Sequence, residues 1–98
     1  MKGDGMIIGT AQISVFLGET HSLKEKRSIV QSLIKRLQNK FNAAIAEVSD
    51  QELWQKATLG VAVIGGSASH ADSQLQAIIN LVESDTRVRI GEVETELF

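Results

Sequence analysis

The chain has 98 residues, with no proline or cysteine, 43% hydrophobic residues and a formal net charge of −2. That length supports one domain with a modest hydrophobic core, and the lack of cysteine excludes disulfides, thiolate chemistry and cysteine-ligated metal centres. The slightly acidic balance argues against a general nucleic-acid coat and leaves only a local basic patch as a route to RNA.

In chain order, residues 1–5 are polar and lack the apolar stretch of a signal peptide. No apolar run approaches the ~20 residues of a membrane span, so the expectation is a cytoplasmic protein with no membrane partner. Ile7 to Leu17 alternates as a strand: Ile7, Ala11, Ile13, Val15 and Leu17 share one face, with Thr10, Gln12 and Ser14 on the other. A connection over Gly18 to His21 leads into a helix from Leu23 to about Asn39, whose apolar stripe runs through Val30, Leu33, Ile34 and Leu37. A second strand is predicted over Ala43 to Val48, then a polar connection over Asp50 to Gln55 carrying Leu53 and Trp54. Thr58 to Ile64, rich in valine and isoleucine, suits a central strand. Gly65-Gly66-Ser67 breaks it, and Ser69 with Asp72 predicts the cap of a second helix that buries Ala71, Leu75, Ile78, Ile79 and Val82. Arg87 to Leu97 is the last strand. Its apolar parity slips between Val88/Ile90 and Val93/Leu97, which predicts a bulge near Gly91.

Strand, helix, strand, strand, helix, strand with short right-handed connections predicts an α+β, ferredoxin-like βαββαβ sandwich: a four-stranded antiparallel sheet in spatial order 4-1-3-2 with two helices on one face. This topology puts the Glu19-to-Lys24 turn near Trp54 and near the Ser84-to-Arg87 connection, with His70 at the opposite edge. The two histidines are therefore not expected to share a metal site.

The stretch Ser22-Leu23-Lys24-Glu25-Lys26-Arg27 carries the most information. Ser22 and Glu25 form a capping box, the serine oxygen accepting a first-turn N–H while the glutamate reaches back to the cap. The same turn holds Lys24, Lys26 and Arg27, cations that the helix dipole disfavours there. Lys26 falls inside the apolar stripe, where its stem is expected to cover the core while the charge reaches water. Asp50, Glu52, Glu83 and Asp85 are the candidate carboxylate partners. The alternative is an anion or partner site made by His21, Ser22, Lys24 and Arg27 with Trp54 at the same edge. His21 has no nucleophile or orienting carboxylate at a diagnostic spacing. Trp54 reads as a lid over the edge of the core, with base stacking as its functional alternative. Glu92, Glu94 and Glu96 alternate onto one side of the last strand and read as a solvated, aggregation-resistant face. No catalytic residue, metal-ligand set or cofactor motif emerges.

The stretch Ser22 to Arg27, with Met6-Ile7-Ile8-Gly9, Leu53-Trp54-Gln55-Lys56-Ala57-Thr58-Leu59-Gly60 and Glu94-Thr95-Glu96, resembles the YlxP-like family, a bacterial domain of unknown function. The resemblance implies a ferredoxin-like domain over 6–98 preceded by an N-terminal extension, 1–5. It carries no catalytic residues over. Genes of the family commonly lie among those for transcription elongation, translation initiation and ribosome maturation, which directs attention to RNA.

Other functions of this architecture lack their residues. A base-stacking sheet needs aromatics on its central strands, and Phe16 is the only nearby one. An acylphosphatase-like cradle needs an arginine that Leu17 to His21 does not supply. The leading expectation is a non-enzymatic domain that associates with RNA, ribosomal particles or translation-related proteins. The alternative is a small-ligand-binding or regulatory domain that homodimerises through its open sheet face, with Ile8, Phe16, Ile45 and Ile64 supplying apolar character. An enzyme using His21 is the third reading.

Overall fold

A computed structural model describes residues 5–98; the extension expected over 1–5 lies outside the described residues apart from Gly5. The elements are β1 (Ile7–Leu17), α1 (Leu23–Lys40), β2 (Ala44–Ser49), β3 (Lys56–Gly65), α2 (Ala68–Ser84) and β4 (Val88–Leu97). They form one antiparallel sheet in the order β2-β3-β1-β4, with both helices on one face. The predicted ferredoxin-like order is the observed one.

Period-two patterning decides which face of the sheet is covered. Ala11, Ile13, Val15 and Leu17 of β1 are buried, as are Leu59, Val61 and Val63 of β3. Above them lie Val30, Leu33 and Leu37 of α1 and Ala71, Leu75, Ile78 and Val82 of α2. The bulge is present where parity slips. Ile13 pairs with Val93 and Val15 with Ile90, so Gly91 and Glu92 together oppose Ser14. The extra residue returns Val88, Ile90, Val93 and Leu97 to the helix side. Gly91 is needed there for a second reason: a Cβ on it would come within 2.5 Å of the Phe16 ring.

Three expectations are corrected. The cap of α2 is Ser67, not Ser69 with Asp72: its hydroxyl accepts the His70 N–H at 3.1 Å. Because β3 runs to Gly65, only the extended Ser67 can turn the chain, and Ser69 is already helical. Ile45 does not belong to the open face. Its pairing with Val61 turns it under the helices, where it is buried, and Ala44, Ala46 and Val48 take the open side of β2. The Lys26 charge does not reach water, as the site geometry shows.

Candidate functional site

The capping box closes in a shifted form. Ser22 Oγ accepts the Glu25 N–H at 3.1 Å, while Glu25 Oε2 accepts the N–H of His21, the residue before the cap, at 3.2 Å. Ser22 O also takes the Lys26 N–H. Of the helix's free first-turn donors these bonds use one, the Glu25 N–H, and the Ser22 and Glu25 side chains are both occupied with their own chain. The predicted approach to Trp54 is also present: buried Thr20 donates its hydroxyl to the Trp54 carbonyl, and Leu17 N–H to that of Gln55. On its other side the turn shares a hollow with Thr86 and Arg87.

Lys26 is the structural centre of the motif. Its side chain is 0% exposed, and its ammonium reaches Glu47 Oε2 at 2.5 Å, the Asp50 carbonyl at 2.8 Å and, more weakly, the Gln51 carbonyl at 3.4 Å. All three N–H donors of the ammonium are thereby spent. The β2–β3 connection is shaped around this charge, and Asp50 adopts a left-handed φ of 65° while its carboxylate accepts the Thr58 hydroxyl at 2.7 Å. Lys26 thus lies in the apolar stripe because its charge clamps a loop. A surface role for it is excluded by this burial.

The remaining candidates separate onto two surfaces. Lys24 and Arg27 are exposed and, with Ser28, Gln31, Ser32 and Lys35, line a shallow depression of about 500 Å³ along the outer face of α1. Spacings of three, four and four from Lys24 through Arg27 and Gln31 to Lys35 keep these residues on one helical face. Arg87 joins its border by donating to Ser32 Oγ at 3.1 Å. Lys24, Arg27 and Lys35 form no ion pair among the described residues. Trp54 is elsewhere. It is half exposed and borders a different hollow with Phe16, Leu53 and Lys56, so it is neither a lid on the core nor a neighbour of the basic groove. His21 lines neither surface. Lys35, Gln31 and Arg87 lie outside the first turn on which the sequence signal concentrates; continuing the helical wheel eleven residues beyond Lys24 finds Lys35.

Asp85, a candidate partner for the first-turn cations, instead serves Arg87 and Arg36. Arg87 Nη2 and Nε reach its two carboxylate oxygens at 2.7 and 3.0 Å, and Arg36 Nη1 comes within 3.2 Å. The Arg87 hydrogen bonds hold the carboxyl at about 2, below its ordinary 3.8, against the opposing effect of burial. A folded value below the unfolded one means that the stabilisation is complete above the unfolded value, declines as pH falls through 3.8 and is exhausted below about 2. The expected loss is about 2 kcal/mol across that window. Asp85→Asn should be less stable at neutral pH yet lose less between pH 5 and 2 (roughly the range in which such a carboxylate titrates), as urea unfolding at each pH would read. Parallel acid profiles for the two proteins would refute this.

Among the described residues, no helix is long and apolar enough to cross a membrane. Among the described residues, no group of three or more histidine, cysteine, aspartate or glutamate side chains is arranged to hold a metal ion.

Comparison with known proteins agrees with this picture. The de novo designed protein Ferredog-Diesel superposes with a TM-score of 0.52 at 17% identity, covering 91% of this chain and 83% of its own. The designed protein Foldit4 gives 0.50 at 9% identity, covering 95% and 96%. Both share the fold alone. The uncharacterized protein YlxP of Bacillus subtilis (strain 168) is 32% identical over 92 residues, which are 94% of this chain and all of YlxP. The family model described as "Protein of unknown function (DUF503)" matches residues 8–95, and with that span and the YlxP identity the chain belongs to the DUF503 family.

Proposed function

We propose that the protein is a non-enzymatic, cytoplasmic RNA-associating domain that contacts the phosphate backbone of structured RNA, such as that of ribosomal particles, through the outer face of α1. The observation that carries this reading is the set Lys24, Arg27 and Lys35, three exposed cations along one groove with no carboxylate partner among the described residues. Exposed cations of that kind favour phosphate by counterion release and read shape rather than sequence. The net charge of −2 restricts the attraction to this face. Ser22 and Glu25 shape the helix entry and need not touch RNA.

The test is cosedimentation of the protein with ribosomal particles and with structured RNA over a salt series. Lys24→Glu/Arg27→Glu/Lys35→Glu is expected to weaken association by at least about tenfold and to lower the salt slope by about 1 per cation removed. Unchanged association by a variant whose circular dichroism matches the parent would overturn the reading. Lys40→Glu, an exposed cation of α1 outside the groove, is the control for charge reversal elsewhere on the molecule.

A second reading, self-association, is favoured by the open sheet face. Ile8, Val48, Ile64 and Phe98 are 37%, 52%, 64% and 66% exposed there, over a floor of Ala44, Ala46, Gly60 and Ala62. Apolar surface of this extent is uncommon on a monomer. The two readings use opposite layers of the molecule and are compatible.

A further inference from the structure

The open face is polarised along its strands. In the row of Phe16, β3 contributes Lys56 and β4 contributes Arg89. Both cations lie over the Phe16 ring, at 5.8 and 5.2 Å from its centroid. Two residues before Lys56 comes half-exposed Trp54. At the other end, β4 places Glu94 beside Gln12 and Glu96 beside Thr10, and the last row holds Ile8 between Ile64 and Phe98. One end therefore carries cations, Lys56 shared with the Asp50 carboxylate at 3.7 Å and Arg89 with no carboxylate partner among the described residues, beyond which an aromatic projects. The other carries carboxylates beyond which aliphatic side chains project. The Phe16 and Thr10 rows are six residues apart, about 20 Å along the strand.

We infer that the occupant of this face is a second copy of the chain, packed sheet to sheet about a two-fold axis that lies in the interface, perpendicular to the strands, and crosses β1 near Ile13. The inference rests on the self-association reading and specifies its geometry. Such an axis exchanges the two ends of the face. The Phe16 row then meets the partner's Thr10 row, so Arg89 opposes the partner's Glu96, and Trp54 comes over the partner's Ile64. Both apolar residues are at least half exposed in the single chain. The midline is made of Gln12 and Ser14 of β1 with Gly60 and Thr58 of β3, and the axis sets Gln12 opposite the partner's Ser14 and Gly60 opposite the partner's Thr58, all small or flexible enough to pack together. A two-fold axis parallel to the strands fails on the same charges, because it lays the Lys56 and Arg89 end on itself. Four strands of about ten residues present roughly 600 Å² per copy, or about 1,200 Å² in all, at the lower limit of a specific interface. Sheets packed in this way keep their strands within about 30° of each other. Both α1 layers then lie on the outside, so the dimer would present two basic grooves facing away from one another.

The test is a charge swap on the full chain, read by sedimentation velocity and by the emission of the single tryptophan. The parent chain is expected to dimerise in about the micromolar range, with Trp54 emission shifting to shorter wavelength as concentration rises. Arg89→Glu alone and Glu96→Arg alone each set like charges opposite at both symmetric contacts and should weaken the dimer at least about tenfold. An equimolar mixture of the two variants restores opposite charges at both contacts and should recover dimers. A parent chain that stays monomeric at several hundred micromolar, well above the roughly micromolar expectation, would overturn both this geometry and the self-association reading. A dimer indifferent to the two substitutions, or lost in each and not recovered on mixing, would overturn the geometry and leave self-association standing. Arg89 and Glu96 are both exposed, so the variants should retain the parent's circular dichroism.

Discussion

Replacing Lys26 with methionine is expected to destabilise the fold by about 3–5 kcal/mol, the cost of breaking a buried ion pair from one side. For a domain of this size that corresponds to a fall in melting temperature of roughly 12–40 °C. Methionine fills much of the space of the lysine stem, so cavity formation contributes little. The loss comes from the groups left behind: the Glu47 carboxylate, whose side chain is 15% exposed, and the carbonyls of Asp50 and Gln51. Each would face a thioether that offers no proton. Lys26→Met/Glu47→Met removes the stranded carboxylate and should recover about 1–2 kcal/mol, a coupling usual for residues in contact. It should not recover everything, because the two carbonyls cannot be substituted away. Chemical unfolding of the parent, Lys26→Met, Glu47→Met and the double variant gives the cycle directly. Lys26→Met as stable as the parent would show that the clamp contributes nothing. The prediction also separates the two parts of the Ser22-to-Arg27 stretch: Lys26→Met acts on stability, whereas reversal at Lys24 and Arg27 should act on association with the fold retained.

Those two parts illustrate what can be read from the chain and what cannot. The alternation of Ile7 to Leu17 and the stripe of α1 each rest on a local period, and both elements appear with nearly the expected bounds. The slip between Ile90 and Val93 was legible for the same reason. It violates a period of two, and only a residue insertion repairs it. Lys26 was legible as an oddity on the helical wheel. Its partner was not, since Glu47 lies 21 residues on and faces the helices only because of the β2–β3 register. That register itself shifts between Glu47 and Ser49. The same pairing sets Ile45 opposite Val61 and so turns it inward. The candidate site divided for a related reason. Topology brings the Trp54 backbone to the β1–α1 turn, but topology alone does not say which way the indole leaves it. The turn therefore met its expected neighbour while the side chains parted to different surfaces.

The second large effect is expected at Gly65, where alanine should destabilise by about 2–3 kcal/mol. A Cβ at this position would fall 2.7 Å from the Ala71 nitrogen, 3.0 Å from its Cα and 3.1 Å from its Cβ. Two of these atoms are helix backbone, so no side chain can rotate away. Relief requires moving the first turn of α2, and that turn is held by the Ala71 N–H to the Ser67 carbonyl at 3.0 Å and by the Ser67 cap on His70. Gly60 offers the control. A Cβ there also meets an atom at 2.7 Å, but that atom is Cγ1 of Val48, a side chain 52% exposed at the sheet surface. It can turn toward solvent, and Gly60→Ala should cost less than about 1 kcal/mol. Urea midpoints at unchanged m-values would compare the two. Equal losses would mean that the approach of β3 to α2 is not a tight contact. A much larger loss at Gly65 would identify Gly65-Gly66 as more than a chain break. Gly65 is the position at which the last residue of β3 passes directly beneath the helix that Ser67 begins, and only hydrogen fits between them.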